Sequence, residues 1–163
     1  MDRREVLGKV ASLGGAFALL GAAALTSPVE ARRGGGGGDR IRKSFRMFTV
    51  GSGAASRTKG KAEIEARLSR GREKFKVEVE SLGLTDGTVV NVFARKAGGE
   101  SIFVEALTLH SLPRSPRKVK AELELDTEHG DDLPASVSPV TDNTEVSVQL
   151  AATNETILTT TRG

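Results

Sequence analysis

The sequence predicts an all-β domain, an antiparallel β-sandwich of immunoglobulin-like or Greek-key type with about eight strands, and three observations predict it. Apolar and charged residues alternate at period two through most of residues 61–160, the pattern of strands that cover a core on one face. Segments rich in Gly, Pro, Asp and Ser separate those runs at short intervals, as turns between short strands do. After residue 31, no stretch carries an apolar stripe at helical spacing.

The chain of 163 residues begins with a charged head, Met1 to Lys9, followed by an apolar run from Val10 to Leu25 and the helix-breaking pair Ser27-Pro28. Val29-Glu30-Ala31 then places small residues where a signal peptidase cuts, so residues 1–31 are expected to be a signal peptide with a signal helix, cleaved after Ala31. The run is too short to cross a bilayer comfortably, since spanning takes roughly 20 apolar residues. Arg3-Arg4 followed by Val6-Leu7 resembles the twin-arginine export motif, which implies passage of an already folded chain into the periplasm or outside the cell.

Residues 32–60 read as a flexible, basic and Gly-rich segment. Gly34 to Gly38 form an unbroken glycine linker, too costly in backbone entropy for a packed element. Within the segment, Arg42 to Val50 supplies a first strand, and Gly51 to Gly60 a second small-residue loop. Residues 61–163 form the sandwich domain. Ala62, Ile64, Ala66 and Leu68 alternate with charged residues, and so do Phe75, Val77 and Val79; the turn at Gly71 makes the two runs a hairpin. Thr88 to Arg95 is the next strand. Ser101 to Leu109 is apolar on both sides, which predicts a central strand. Lys118 to Leu125, Thr144 to Leu150 and Glu155 to Thr160 complete the set.

Lys61-Ala-Glu-Ile-Glu-Ala-Arg-Leu, Lys74-Phe-Lys-Val-Glu-Val-Glu-Ser and Lys120-Ala-Glu-Leu-Glu-Leu-Asp resemble the strands of uncharacterised exported bacterial β-domain proteins. The resemblance spans residues 60–160 and implies a fold, with no residue-level chemistry attached.

Composition excludes several functions. The chain has no cysteine, which removes disulfides, thiol catalysis, thiolate metal sites and a lipid-anchored N-terminus. It has no Trp or Tyr, the usual stacking plates of sugar and single-stranded nucleic-acid surfaces; Phe45, Phe48, Phe75, Phe93 and Phe103 all fall in predicted strands and are expected to be mainly core. Ser52 lacks the strand-to-helix elbow of a hydrolase nucleophile. His110 and His129 are the only histidines, and the paired carboxylates alternate along strand faces like solvated surface. No catalytic residue and no cofactor is therefore expected.

Charge is divided unevenly. Arg32 to Lys76 holds 14 Lys/Arg against 4 Asp/Glu, whereas Val77 to Gly163 holds 7 against 14. If the two halves occupy different faces the molecule is a dipole; if their strands interleave, the charges pair as cross-strand neighbours. Two candidate sites follow. Arg40, Arg42, Lys43 and Arg46 are positioned to contact an anionic surface, and the acidic turn at Asp126, Glu128, Asp131 and Asp132 offers oxygen ligands to calcium. The basic, proline-stiffened segment Leu112 to Lys118 is a third place where charge is presented. The functional expectation is an exported, non-catalytic binding or structural module that works through charged surfaces, with a calcium-binding domain as the alternative. Its expected partners are an anionic envelope surface or another protein, not nucleic acid, with no stable membrane insertion once the signal is removed.

Overall fold

The computed structural model describes residues 39–135 and 137–161. The expected signal with Arg3 and Arg4, its cleavage point and the glycine linker lie outside the described residues.

The protein is all-β and antiparallel. Among the described residues nine strands follow in chain order: β1 (Arg40–Thr49), β2 (Thr58–Arg67), β3 (Arg72–Ser81), β4 (Val89–Lys96), β5 (Ser101–Thr108), β6 (His110–Leu112), β7 (Ser115–Asp126), β8 (Asn143–Leu150) and β9 (Thr156–Thr159). Their lateral order is β5-β4-β8-β9-β1-β2-β3-β7-β6. Only Leu109 separates β5 from β6, so the two ends of this sheet lie on consecutive stretches of chain and the sheet is nearly closed. Leu109 secures that corner by donating to the Thr88 carbonyl at 2.8 Å and accepting from the Gly87 amide at 2.9 Å. The result is a barrel-like sandwich, in which closure limits exposed strand edges.

Period-two alternation forms the core as the sequence requires. On β3, Phe75, Val77 and Val79 are fully buried. They face Ile64, Ala62 and Gly60 of β2 and Leu125, Leu123 and Ala121 of β7 across the ladders. Val90, Val92, Val146, Val148, Ile157 and Leu158 complete the interior from the other half. The β2–β3 hairpin closes through Gly71, whose φ of 60° is a left-handed conformation that favours glycine.

Several expectations are corrected. Ser101 to Leu109 is not central: β5 ends the sheet and pairs with β4 alone. Ile102 and Phe103 on it are 43% and 49% exposed. Val104 is the extra residue of a bulge opposite the Val92/Phe93 step, and the bulge breaks the alternation from which burial is read. Phe75 alone of the five phenylalanines is fully buried; Phe103 instead meets Phe93 edge-to-face at 5.8 Å between ring centroids. The segment Gly51 to Gly60 is more structured than a loop. It holds a 3-10 turn over Gly53–Arg57 and the start of β2 at Thr58. In the basic segment, Leu112 and Ser115 are already partners across a tight turn.

The 3-10 turn is held in place by close backbone packing. A Cβ on Gly83 would fall 1.9 Å from the carbonyl oxygen of Ala54, and nearby the Leu82 amide donates to the Arg57 carbonyl at 3.2 Å. Backbone cannot yield as a flexible side chain can. Gly83→Ala is therefore expected to cost about 1–3 kcal/mol or more and to displace the turn that carries Arg57. Urea unfolding measures it, and an unchanged midpoint would contradict the packing described.

Candidate functional site: a charged sheet face and a cationic fork

The outer face of β1, β2, β3 and β7 is a lattice of charges set by the strand registers. Lys74 and Lys76 stand opposite Asp126 and Glu124 on β7, and opposite Glu65 and Glu63 on β2. The basic and acidic parts of the chain are thus neighbours, and their charges compensate across strands. Lys76 Nζ donates to Glu122 at 2.6 Å and to Glu124 at 3.2 Å. These bonds, Glu122 foremost, raise the Lys76 pKa above the ordinary lysine value, while the bond from Lys76 lowers that of Glu122. Lys74 likewise lowers Glu124. Lys118 reaches Glu80 at 2.7 Å. Each exposed pair contributes little to stability, typically 0–1 kcal/mol; together they leave little net field over this part of the face.

Two of the expected surface cations belong to the lattice. Arg40 pairs with Glu65 at 2.7 Å and Arg42 with Glu63. Burial works against ionisation of both glutamates, but hydrogen bonds from Arg40 to Glu65 and from Lys61 and Arg42 to Glu63 prevail and lower their pKa values. Lys43 shares the register of buried Ile64, and its Nζ donates to the Thr141 carbonyl at 2.8 Å. Arg46 differs from Arg40 and Arg42. It stands opposite Lys61, and no carboxylate pairs with it among the described residues.

The surroundings of Arg46 are unusual because the sheet divides there. β1 pairs with β2 up to Met47↔Gly60, then changes partner and pairs with β9 through Phe48↔Thr159 and Thr49↔Leu158. The strands separate beyond that point, leaving a cleft of about 380 Å³ lined by Arg46, Phe48 and Thr49 on one side and Ser56, Arg57 and Lys59 on the other. Two features fix the fork. Thr49 Oγ1 donates across it to the Thr58 carbonyl at 2.7 Å. Beneath it, Gly60 admits Leu158 and Met47, whose atoms would lie 2.7 Å and 2.9 Å from a Cβ at that position. Arg57 and Lys59, like Arg46, form no ion pair with a carboxylate among the described residues. Lys59 stands opposite Glu80, but that carboxylate is taken by Lys118.

The acidic turn is organised around the Arg72 guanidinium. Asp126 is buried and accepts from Arg72 twice, Nε to Oδ1 at 3.1 Å and Nη2 to Oδ2 at 2.7 Å. It also accepts from the Glu128 amide at 3.0 Å. The Arg72 bond foremost, against the penalty of burial, lowers the Asp126 pKa to about 2. Glu128 pairs with Arg72 as well. Asp131 accepts from the Asp126 amide at 2.9 Å, and Asp132 is exposed. These carboxylates close a turn around a guanidinium; among the described residues, no group of three or more His, Asp or Glu side chains is arranged to hold a metal ion. His129 is exposed, its Nδ1 3.5 Å from Asp126, and His110 opens β6 opposite Lys120.

Sequence reasoning named Arg46 and missed Arg57 and Lys59, which it placed in a loop. A usable signal was present: from Arg40 to Ala62 there are seven Lys/Arg residues and no Asp or Glu, so local pairing cannot neutralise them all.

No protein-family model, curated protein or solved structure matches the chain. Among the described residues, no helix is long and apolar enough to cross a membrane.

Proposed function

We propose that the protein is an exported, non-catalytic β-module that binds an anionic envelope surface through its cationic fork. One observation carries this reading: most cations on the sheet face are neutralised by cross-strand carboxylates, while Arg46, Arg57 and Lys59 line one cleft without such a partner. Positive potential therefore collects at the fork, where a concave wall focuses it. The signal-like first 31 residues support delivery to a compartment bounded by anionic lipid. The strand lattice then serves as a rigid, nearly neutral support that directs attraction to one end.

The reading predicts co-sedimentation with vesicles containing an anionic phospholipid, weakening strongly between low and physiological salt, because exposed charges are screened over about 8–10 Å. Neutral vesicles should leave the protein in solution. Equal retention on neutral vesicles, or retention indifferent to salt, would count against it.

A further inference from the structure

We infer that the fork between β1 and β2 is a specific binding site for a phosphate group, with Arg46 and Arg57 as its clamp and Lys59 as a third charge. This inference rests on the anionic-surface reading and names the chemistry its cleft recognises. A guanidinium offers planar, paired N–H donors that match two oxygens of a phosphate, whereas an ammonium contributes a compact charge that tolerates many directions. Two guanidinium groups and one ammonium therefore fit a tetrahedral dianion better than a single carboxylate, which has two oxygens and one charge.

The cleft geometry agrees with that assignment. Its walls belong to strands pinned on both sides of the fork, by the Thr49–Thr58 bond above and by the Gly60 contact with Leu158 and Met47 beneath. Arg57 sits at the end of the 3-10 turn that closes on Thr58, and that turn is seated against Gly83. The three cations are thus brought together by packing, despite their mutual repulsion and that of Lys61 opposite Arg46. Like charges placed opposite each other destabilise a sheet; a bound anion reverses the sign of that term. At about 380 Å³ the cleft has room for a phosphate together with the first atoms of the group it esterifies. Phe48 is among the residues that line it.

The phosphate could be free or part of a lipid headgroup, and two arms of one experiment separate these sources. The first titrates inorganic phosphate into the protein in chloride-poor buffer, following the melting temperature and heat of binding, with sulfate as comparison. The second measures retention on phosphatidylglycerol vesicles. Both use the native chain, the triple variant Arg46→Gln, Arg57→Gln, Lys59→Gln, and a control of equal net charge, Arg70→Gln, Arg114→Gln, Arg117→Gln. The expected result is a phosphate-dependent rise in melting temperature, as any ligand of the folded state must give. Affinity should fall about tenfold or more on loss of each arginine, while the control binds as the native chain does. Phosphate binding points to a free or soluble ester; vesicle binding that depends on the fork without measurable phosphate binding points to a headgroup. If the fork variant is poorly folded, Arg57→Gln alone and the phosphate titration of the native chain decide the matter. Equal loss in fork and control variants, or no response to phosphate together with vesicle retention unaffected by the fork variant, would overturn the site. In the second of those cases anionic-surface binding itself survives, carried by other cations.

Discussion

Replacing Phe75 by alanine is expected to lower folding stability by about 3–5 kcal/mol, the range for truncating a fully buried aromatic. Phe75 has no exposed surface and lies between Ile64 and Leu125 in the ladders of β2 and β7, so the cavity would open where the two hairpin-forming regions meet. The neighbours cannot readily close over it. Ala62 and Ala66 flank the site on β2, and short side chains have little reach with which to fill a void. Urea unfolding of the variant should give a much lower midpoint with a similar slope. A loss below about 1 kcal/mol would mean that Phe75 is not the centre of this core. Phe103→Ala, by contrast, removes a half-exposed ring at the sheet edge and should cost far less.

The second large effect is on acid stability. Asp126 is buried with Arg72, and its folded-state pKa of about 2 lies below the ordinary 3.8. Between those values the unfolded chain binds the proton more readily, so stability rises with pH across that window. The contribution is complete above about pH 4 and disappears as pH falls towards 2. Asp126→Asn is expected to lower the melting temperature by several degrees at pH 7, because it removes the charge that pairs with a largely buried guanidinium. The difference between variant and native protein should shrink progressively as pH is lowered through the same window. A gap that stayed constant down to pH 2 would show that the pairing of Asp126 with Arg72 does not supply the acid sensitivity. The same pairing occupies the one buried carboxylate of the turn that the sequence offers to calcium, through an arginine from a neighbouring strand.

Much of the fold was legible because local alternation and core position agree. Lys61 to Arg67 and Lys74 to Glu80 alternate at period two, and their apolar residues are buried; Leu68, read as continuing the first run, instead opens the 3-10 turn before Gly71 and is 63% exposed. Where the two diverge, the sequence misleads. Ser101 to Leu109 carries apolar residues on both sides, a pattern shared by central strands and by bulged strands at a corner; only the pairing partners distinguish them, and those lie far along the chain. The acidic C-terminal half raised the question of a dipole, and the answer depended on β7 lying beside β3, a contact between residues about 50 positions apart. The candidate site was legible to the same degree. Arg46 stood out as part of a basic strand, but its difference from Arg40 and Arg42 arises from the point at which β1 exchanges β2 for β9. No local pattern marks that exchange. The excess of cations from Arg40 to Ala62 indicated that some charges must remain uncompensated, without indicating that three of them share a cleft.

Anion binding localised at the fork would be visible in a residue-resolved titration of the protein with inorganic phosphate. Amide chemical shifts should move in a saturable manner at Arg46 to Thr49 and Ser56 to Gly60, with little change at Arg40, Lys74 or Lys76, whose charges are already paired or compensated. Shifts spread evenly over the charged face, or centred on the Arg72–Asp126 turn, would contradict it.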